Sequence, residues 1–280
     1  MKKISVEDLK EGMISDQTIC DKRGMVLVAK GLVLTKTMIQ RLRNFDVAFI
    51  EICDETDELP EACSTDTVIA KQTLADTINL TYQINELRAL TVKDNMEKIE
   101  TVIYSVLKRS FIQEFLEVCS KTSILYQHTL RTTILAVHLG LIKQYDTLNL
   151  EYIAMCALLH DCGMNDEFHD EDKEHPFLGF VKLRENPQVD MVIALACLQH
   201  HEYYNGTGFP FSFSRTQISE FSSLLSIVDY YDRLIIGEVH PRKALFDTIG
   251  KKKILFPPDA VELLAGTIDW TRLYQQRPLA

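Results

Sequence analysis

Several features that would place this chain in a particular class of protein are missing from its sequence. No stretch reaches about 18 consecutive apolar residues, so no transmembrane helix is expected. The first ten residues include two lysines, but no apolar run follows them, which is unlike a signal peptide. The seven cysteines are scattered and form no Cys-x-x-Cys pair, a pattern typical of reduced thiols in the cytoplasm. We therefore expect a cytoplasmic protein without a membrane span.

The sequence also lacks a large cluster of basic residues. Its formal net charge is -10, from 30 Lys and Arg against 40 Asp and Glu. A protein that binds a nucleic-acid polymer presents a basic face to the phosphates, and the short run at 251–253 is better explained as a solvated helix end. A nucleic-acid polymer is therefore not an expected partner. A small anionic ligand stays compatible with this charge, because a bound cation can dominate the local field.

The length of 280 residues is sufficient for a sizeable core and for two domains. Residues 1–53 predict a small α+β module, in which a hairpin at Gly31 precedes the amphipathic segment LTKTMIQRLRNF and the closing strand VAFIEI. Residues 54–66 are acidic and contain Pro60, which predicts an exposed linker. From 67 to 280 apolar residues recur at spacings of three and four, which predicts an all-helical domain and a mainly α chain.

Residues that commonly bind metals interrupt the apolar helices of this second domain. His160 and Asp161 end one helix just before Gly163, a predicted helix terminator. The pair His200 and His201 ends another helix. The further candidates within helices are His128 and Asp229. Burial of such groups without a partner is costly, and one metal ion would satisfy several of them. Imidazole together with carboxylate suits Zn, Mn, Fe or Ni.

Taken one at a time, these residues have an ordinary structural explanation. A single histidine is better explained as a core or surface side chain whose hydrogen bonds are satisfied, and the pair His160 and Asp161 alone is compatible with either interpretation. A metal site is indicated by their occurrence together in one helical domain. An aspartate beside a helix end can bridge two metals while the adjacent imidazole binds one of them.

Five motifs, in this order, resemble the HD-GYP family of the HD superfamily of phosphohydrolases: HTLR, HDCG, EHPFLGF, HHEYYNGTGFP and SIVDYYDRL. The segment FPPDAV near the C-terminus is also similar. The resemblance covers residues 120–266, and its most specific part is the segment at 200–210. Residues 1–53 show a weaker likeness to a module found ahead of some HD-GYP domains. The resemblance therefore implies a helical HD domain preceded by a small regulatory module.

The resemblance also implies a centre with two divalent transition-metal ions, without a choice among Fe, Mn and Zn. One ion would be held by His128, His160, Asp161 and Asp229. The other would be held by Asp161, His175, His200 and His201, which makes Asp161 the bridging and catalytic residue. The implied reaction is hydrolysis of cyclic di-GMP to pGpG, GMP or both by a water that the metals activate. The implied substrate contacts are Gly206, Gly208, Phe209, Pro210, Arg242 and Lys243, of which the last two are equally well explained as surface-helix residues.

Four departures from the family pattern bear on activity. Met164 stands where the family has a lysine, which would contact the substrate phosphate. Phe209 replaces the tyrosine of the GYP tripeptide. The segment between Met164 and His175 is short and acidic. Ile124 replaces a glutamate that supports a third metal in some relatives, so we expect two ions.

Three other functions stay open at the level of the sequence. Met164 favours a sensor or scaffold of the same fold in bacterial second-messenger signalling. Such a protein would have weak catalytic activity or none. A phosphohydrolase of another nucleotide is a further alternative, and HHEYYNGTGFP argues against it. A purely structural helical protein would leave the order of the metal-type residues unexplained.

The expected partners are cyclic di-GMP or a related small nucleotide, together with a second copy of the chain or a signalling protein. Asp232 is predicted either to orient a ligand or to be an ordinary helix-surface carboxylate.

Overall fold

A computed structural model of the protein describes residues 2–53, 73, 76, 93–118, 124–164 and 173–266. The predicted linker at 54–66 lies outside the described residues, as does most of the short acidic segment that precedes His175. Within the described part of the chain no helix is both long and apolar enough to cross a membrane. The described cysteines are free thiols.

The first 53 residues form two small antiparallel sheets and one helix. Strand β1 (Lys2–Ser5) pairs with β4 (Phe49–Ile52), and β2 (Ile19–Cys20) pairs with β3 (Val26–Val28). Helix α1 (Lys36–Asn44) begins after Thr35, whose hydroxyl accepts a hydrogen bond from the backbone of Met38 and so satisfies one of the open donors of the first turn. The apolar side chains of these elements form a core of their own, which includes Leu27, Leu34, Leu42 and Ile50.

The hairpin predicted at Gly31 is wrong. Strand β3 pairs with the strand that precedes it, whereas the backbone N–H of Gly31 donates to Ser15 O at 2.7 Å and Val33 bridges Ile14. Gly31 has a φ of 79°, which lets the chain turn away from β3. The residues after the turn are therefore paired with an earlier segment of the chain and not with β3.

The rest of the described chain is helical, which confirms the prediction of a mainly α fold with a small α+β module in front of it. The helices are α2 (Lys93–Leu107), α3 (Ser110–Val118), α4 (Ile124–Ile142), α5 (Thr147–Leu159), α6 (His175–Glu185), α7 (Met191–Gln199), α8 (Glu220–Ile236), α9 (Pro241–Gly250) and α10 (Pro258–Gly266). Helices α4, α5, α7 and α8 pack against one another at the centre. Helices α4, α5 and α7 bury side chains around most of their circumference, as expected for helices at the middle of a core.

The first 53 residues contact the N-terminal ends of three central helices. The side-chain amide of Asn149, in the first turn of α5, accepts from Val26 N at 2.8 Å and donates to Val26 O at 3.0 Å. Thr18 donates to Asp190, which precedes α7, at 2.6 Å. The backbone N–H of Glu220, the first residue of α8, donates to Arg23 O at 2.8 Å. Each of these helices also carries, further along, a candidate metal ligand.

Candidate metal centre

The seven predicted ligands lie together inside the helical part of the chain. Helix α4 supplies one imidazole, the end of α5 supplies the HD pair, α6 supplies its first residue, the end of α7 supplies two imidazoles and α8 supplies a carboxylate. The residues are His128, His160, Asp161, His175, His200, His201 and Asp229, and all are buried. They form two groups that share Asp161, and within each group the candidate ligand atoms lie within 4.8 Å of one another. The polar side chains at the ends of apolar helices thus meet at one buried place.

The first cluster consists of His128, His160, Asp161 and Asp229. The Nε2 atoms of the two imidazoles are 3.1 Å apart. His128 Nε2 lies 3.0 Å from Asp229 Oδ1, and His160 Nε2 lies 3.2 Å from Asp161 Oδ2. Two nitrogens and two carboxylate oxygens therefore converge on one small volume.

The second cluster consists of Asp161, His175, His200 and His201. The Nε2 atoms of His175 and His200 are 3.1 Å apart, and each lies 3.3 Å from Asp161 Oδ1. The ring of His201 stacks on Phe209, with 4.7 Å between the ring centroids. The two oxygens of Asp161 thus face different clusters, which is the arrangement that a bridging carboxylate needs.

The Nδ1 atoms of three ligands are held by hydrogen bonds on the side away from the clusters. His160 Nδ1 lies 2.7 Å from Ala157 O, and His200 Nδ1 lies 2.6 Å from Cys197 O. Because a carbonyl oxygen only accepts, Nδ1 carries a proton in both rings, so each ring in its neutral form directs the lone pair of Nε2 into its cluster. His128 Nδ1 lies 2.7 Å from Asp232 Oδ2. Metal-binding histidines usually have such partners.

Of the two interpretations of Asp232, the structure agrees with the orienting one. The carboxylate is buried and contacts the ring of His128. Arg131 donates to both of its oxygens, from Nε to Oδ1 at 2.7 Å and from Nη2 to Oδ2 at 3.0 Å. Asp232 is therefore held in a fixed orientation behind His128.

Burial and neighbouring charges shift the pKa values of the clustered groups in opposite directions. Burial opposes the charged form of His160, but the carboxylates of Asp161 and Asp229 outweigh it and raise its pKa to about 10. Burial lowers the pKa of His200 to about 4, against the opposing effect of Asp161. Burial would raise the pKa of Asp161, yet His160 and Arg233 hold it well below the usual range. The pKa of Asp229 is likewise lowered, by Arg233 and His128 against burial.

The second cluster contains buried hydrogen-bond acceptors without matching donors, which favours a bound cation. Both imidazoles lie 3.3 Å from Asp161 Oδ1, yet among the described residues no well-aligned hydrogen bond reaches this buried oxygen. The low pKa of His200 keeps its ring neutral at pH 7, so a lone pair faces another acceptor. The buried Nε2 of His201 also has no hydrogen-bond partner in the described part of the chain. A divalent ion would satisfy these acceptors together, and its binding to the first cluster would displace the proton of His160.

Two arginines of this region were not predicted from the sequence. Arg233 donates from Nε to Asp229 Oδ1 at 2.8 Å and from Nη2 to Asp161 Oδ2 at 3.3 Å. Arg131 holds Asp232. The only sequence signal for Arg233 is its spacing of four residues after Asp229, a common helical ion-pair spacing.

The glycine-rich segment after α7 packs against the ligands, and a carboxylate holds it there. A Cβ on Gly208 would lie 2.3 Å from His201 O, so only glycine allows this approach. Gly206 turns the chain with a φ of 79°. Phe209 contacts His201 and lies 6.5 Å from His175, centroid to centroid. After Pro210 the backbone N–H of Phe211 donates to Glu202 Oε1 at 2.7 Å, which ties this loop to the HHE motif.

Three further predictions concern residues close to the HD pair or on α9. Helix α5 ends at Leu159, and Gly163 has no left-handed φ; its lack of a side chain instead allows close packing, because a Cβ would lie 2.2 Å from His175 O. Gly163 is therefore not the predicted left-handed helix terminator.

Met164 lies in the turn after the HD pair, where its N–H donates to Asp161 O at 2.9 Å. The guanidinium of Arg242 lies over the ring of Phe246, and Lys243 is exposed on the same helix, α9.

Residues 125–234 match the model of the HD domain family. The chain contains an HD domain. All seven candidate ligands lie within these residues, and the match confirms the predicted HD domain. The chain is also similar to two proteins named cyclic di-GMP phosphodiesterases. One is PA4108 of Pseudomonas aeruginosa, 27% identical over 130 residues, and the other is from Vibrio cholerae, 30% identical over 141 residues.

The matched segment is a limited part of each curated relative. It covers 41% of this chain and 31% of the Pseudomonas protein, and 40% of this chain and 29% of the Vibrio protein. Among solved structures, Bd1817, an HDG"Y"P protein from Bdellovibrio bacteriovorus, aligns over 95% of this chain and 98% of its own, with 19% identity and a TM-score of 0.49. The cyclic GMP-AMP specific phosphodiesterase V-cGAP3 of V. cholerae aligns over 50% of this chain and 43% of its own, with 17% identity and a TM-score of 0.42.

Proposed function

We propose that this protein is a metal-dependent phosphodiesterase that hydrolyses cyclic di-GMP to pGpG, GMP or both through a centre of two divalent transition-metal ions. The observation that supports it most directly is the position of Asp161, whose two oxygens face two separate groups of imidazoles. The similarity of part of the chain to proteins named cyclic di-GMP phosphodiesterases favours this substrate.

In this proposal His128, His160, Asp161 and Asp229 hold one ion, and Asp161, His175, His200 and His201 hold the other. Bound ions of this kind lower the pKa of a coordinated water and offset the charge of the phosphate oxygens in the transition state. The chain's own residues orient the ligands: Asp232, Ala157 and Cys197 fix three rings from behind. Phe209 covers His201 and excludes water from that ring's face. The proposed loop on the substrate side contains Gly206, Gly208, Phe209 and Pro210. Weaker candidates for substrate contact are Arg242 and Lys243.

The experiment that tests the proposal is hydrolysis of cyclic di-GMP by purified protein supplied with Mn²⁺ or Fe²⁺, with the metal content assayed in the same sample. Asp161→Asn keeps the shape of the side chain but removes the charge that both clusters share. We expect this variant to lose both metal and turnover. The matched control is Asp247→Asn, which changes an exposed aspartate on α9 in the same way. Near-full metal occupancy in Asp161→Asn would contradict the two-metal assignment.

A sensor or scaffold is the second candidate, and Met164 favours it. The thioether cannot supply the positive charge that a lysine would bring next to the HD pair. Full metal occupancy without turnover on cyclic di-GMP would support a binding role. A screen of other nucleotides under the same conditions would separate this role from a phosphohydrolase of a different substrate.

A further inference from the structure

Arg233 makes the two clusters electrostatically unequal. Its guanidinium reaches one oxygen of each carboxylate of the first cluster, Asp229 Oδ1 at 2.8 Å and Asp161 Oδ2 at 3.3 Å. These are the same oxygens that face the imidazoles of that cluster. The other oxygen of Asp161 lies 3.3 Å from the Nε2 atoms of His175 and His200, and no well-aligned hydrogen bond from a described residue reaches it.

The charges follow from these contacts. The first cluster contains two carboxylates, and Arg233 offsets one of the two negative charges, since a guanidinium stays protonated in proteins. The second cluster contains one carboxylate and three imidazoles. Without Arg233, the first cluster would attract a dication more strongly than the second cluster does. Arg233 removes this difference in charge, and an ion that binds the first cluster must also compete for oxygens that already accept hydrogen bonds.

We propose that Arg233 is a resident cation of the first cluster, which holds Asp161 and Asp229 in the metal-free protein and weakens metal binding there relative to the second cluster. The inference rests on the proposed two-metal centre and adds an order of loading: the second cluster fills first. Burial supports this role, because the side chain of Arg233 is only 11% exposed and its charge is poorly screened by solvent.

The first test is a titration of the full chain with Mn²⁺. Binding is measured by calorimetry and by the electron paramagnetic resonance signal of the free ion. Arg233→Met retains most of the apolar length of the side chain and removes the charge. We expect this variant to bind the first-cluster ion at least tenfold more tightly than the natural chain. To assign the change in affinity to a cluster, the titration is repeated in a His175→Ala background. This substitution removes a ligand of the second cluster only, so the change that remains belongs to the first cluster. Arg233→Lys keeps the charge and is expected to stay within threefold of the natural affinity.

Arg131→Met is the matched control. This arginine forms a similar buried pair with Asp232 but contacts neither carboxylate of the clusters through the bonds described. Its removal is expected to leave first-cluster affinity unchanged or lower, and not higher. If Arg233 merely positioned Asp161 and Asp229, Arg233→Met would weaken metal binding, so a loss of affinity or no change overturns the inference.

Thermal unfolding gives a readout that does not depend on activity. Metal-free Arg233→Met removes the permanent cation that contacts two buried carboxylates, so its Tm should be lower than that of the natural chain. Excess Mn²⁺ should then raise its Tm by more than it raises the natural Tm. An equal Tm shift in both proteins overturns the inference and leaves the metal centre intact. Absence of Mn²⁺ binding in the natural chain and in all variants overturns the metal centre as well.

Discussion

The hydrogen bond between Asp232 and His128 leads to a graded prediction about metal affinity. The carboxylate accepts from His128 Nδ1 at 2.7 Å and is fixed by two bonds from Arg131. An asparagine can still turn its single carbonyl oxygen toward His128, so the ring keeps its orientation and loses only the nearby charge. An alanine removes both the acceptor and the charge, and it leaves Arg131 without its partner.

Changes of this kind behind a metal ligand typically cost 10- to 100-fold in metal affinity. We therefore expect Asp232→Asn to weaken the first-cluster ion about tenfold, or about 1.4 kcal/mol, and Asp232→Ala to weaken it about 100-fold, or about 2.8 kcal/mol. The second cluster should be unaffected, because its imidazoles have other partners behind them, such as Cys197 O for His200.

The assay is competition between the protein and a chromophoric chelator for Mn²⁺ or Zn²⁺ at constant pH, in the His175→Ala background for the first cluster and in a His128→Ala background for the second. Asp247→Asn serves as the control for a loss of surface charge. Equal losses in both clusters would mean that Asp232 acts through general destabilisation. Natural affinity in both Asp232 variants would refute the role of this hydrogen bond.

Three other predictions follow from single positions. Met164→Lys should lower KM for cyclic di-GMP in the hydrolysis assay with little change in metal content, because it adds a cation beside the HD pair; an unchanged KM would show that this position does not reach the phosphate. Gly163→Ala should reduce the free energy of unfolding by about 3 kcal/mol in urea denaturation, because its Cβ would meet His175 O at 2.2 Å. Asn149→Ala should cost about 1–3 kcal/mol by leaving the buried N–H and C=O of Val26 unpaired, and an effect below 0.5 kcal/mol would contradict this account.

All the candidate ligands except His175 could be predicted from the sequence, because each is a polar residue in or at the end of an apolar helix. His160 and His200 follow long runs of buried side chains, and a polar residue that is buried at the end of such a run needs a partner. Their order along the chain carried the family resemblance. His175 depended on that resemblance, since it begins a helix that is largely exposed on its other faces.

The arginines could not be predicted in the same way. An arginine four residues after an aspartate on a helix usually forms an exposed ion pair of small energy, and the sequence of α8 does not distinguish Arg233 from that case. Its role depends on the distance to Asp161, which is 72 residues earlier and is set by the packing of α5 against α8. The pairing around Gly31 was missed for the same reason, because the partner strand is chosen by tertiary contacts.

Helices α5 and α7 connect the first 53 residues to the candidate metal ligands. Asn149 and His160 are 11 residues apart along α5, or about 17 Å at 1.5 Å per residue. Asp190 and His200 are 10 residues apart along α7, or about 15 Å. The module contacts the first residue of each pair, and the second faces the clusters. If residues 1–53 have the predicted regulatory role, these two helices offer a direct route from their contacts to the candidate ligands, because close-packed helices are hard to compress.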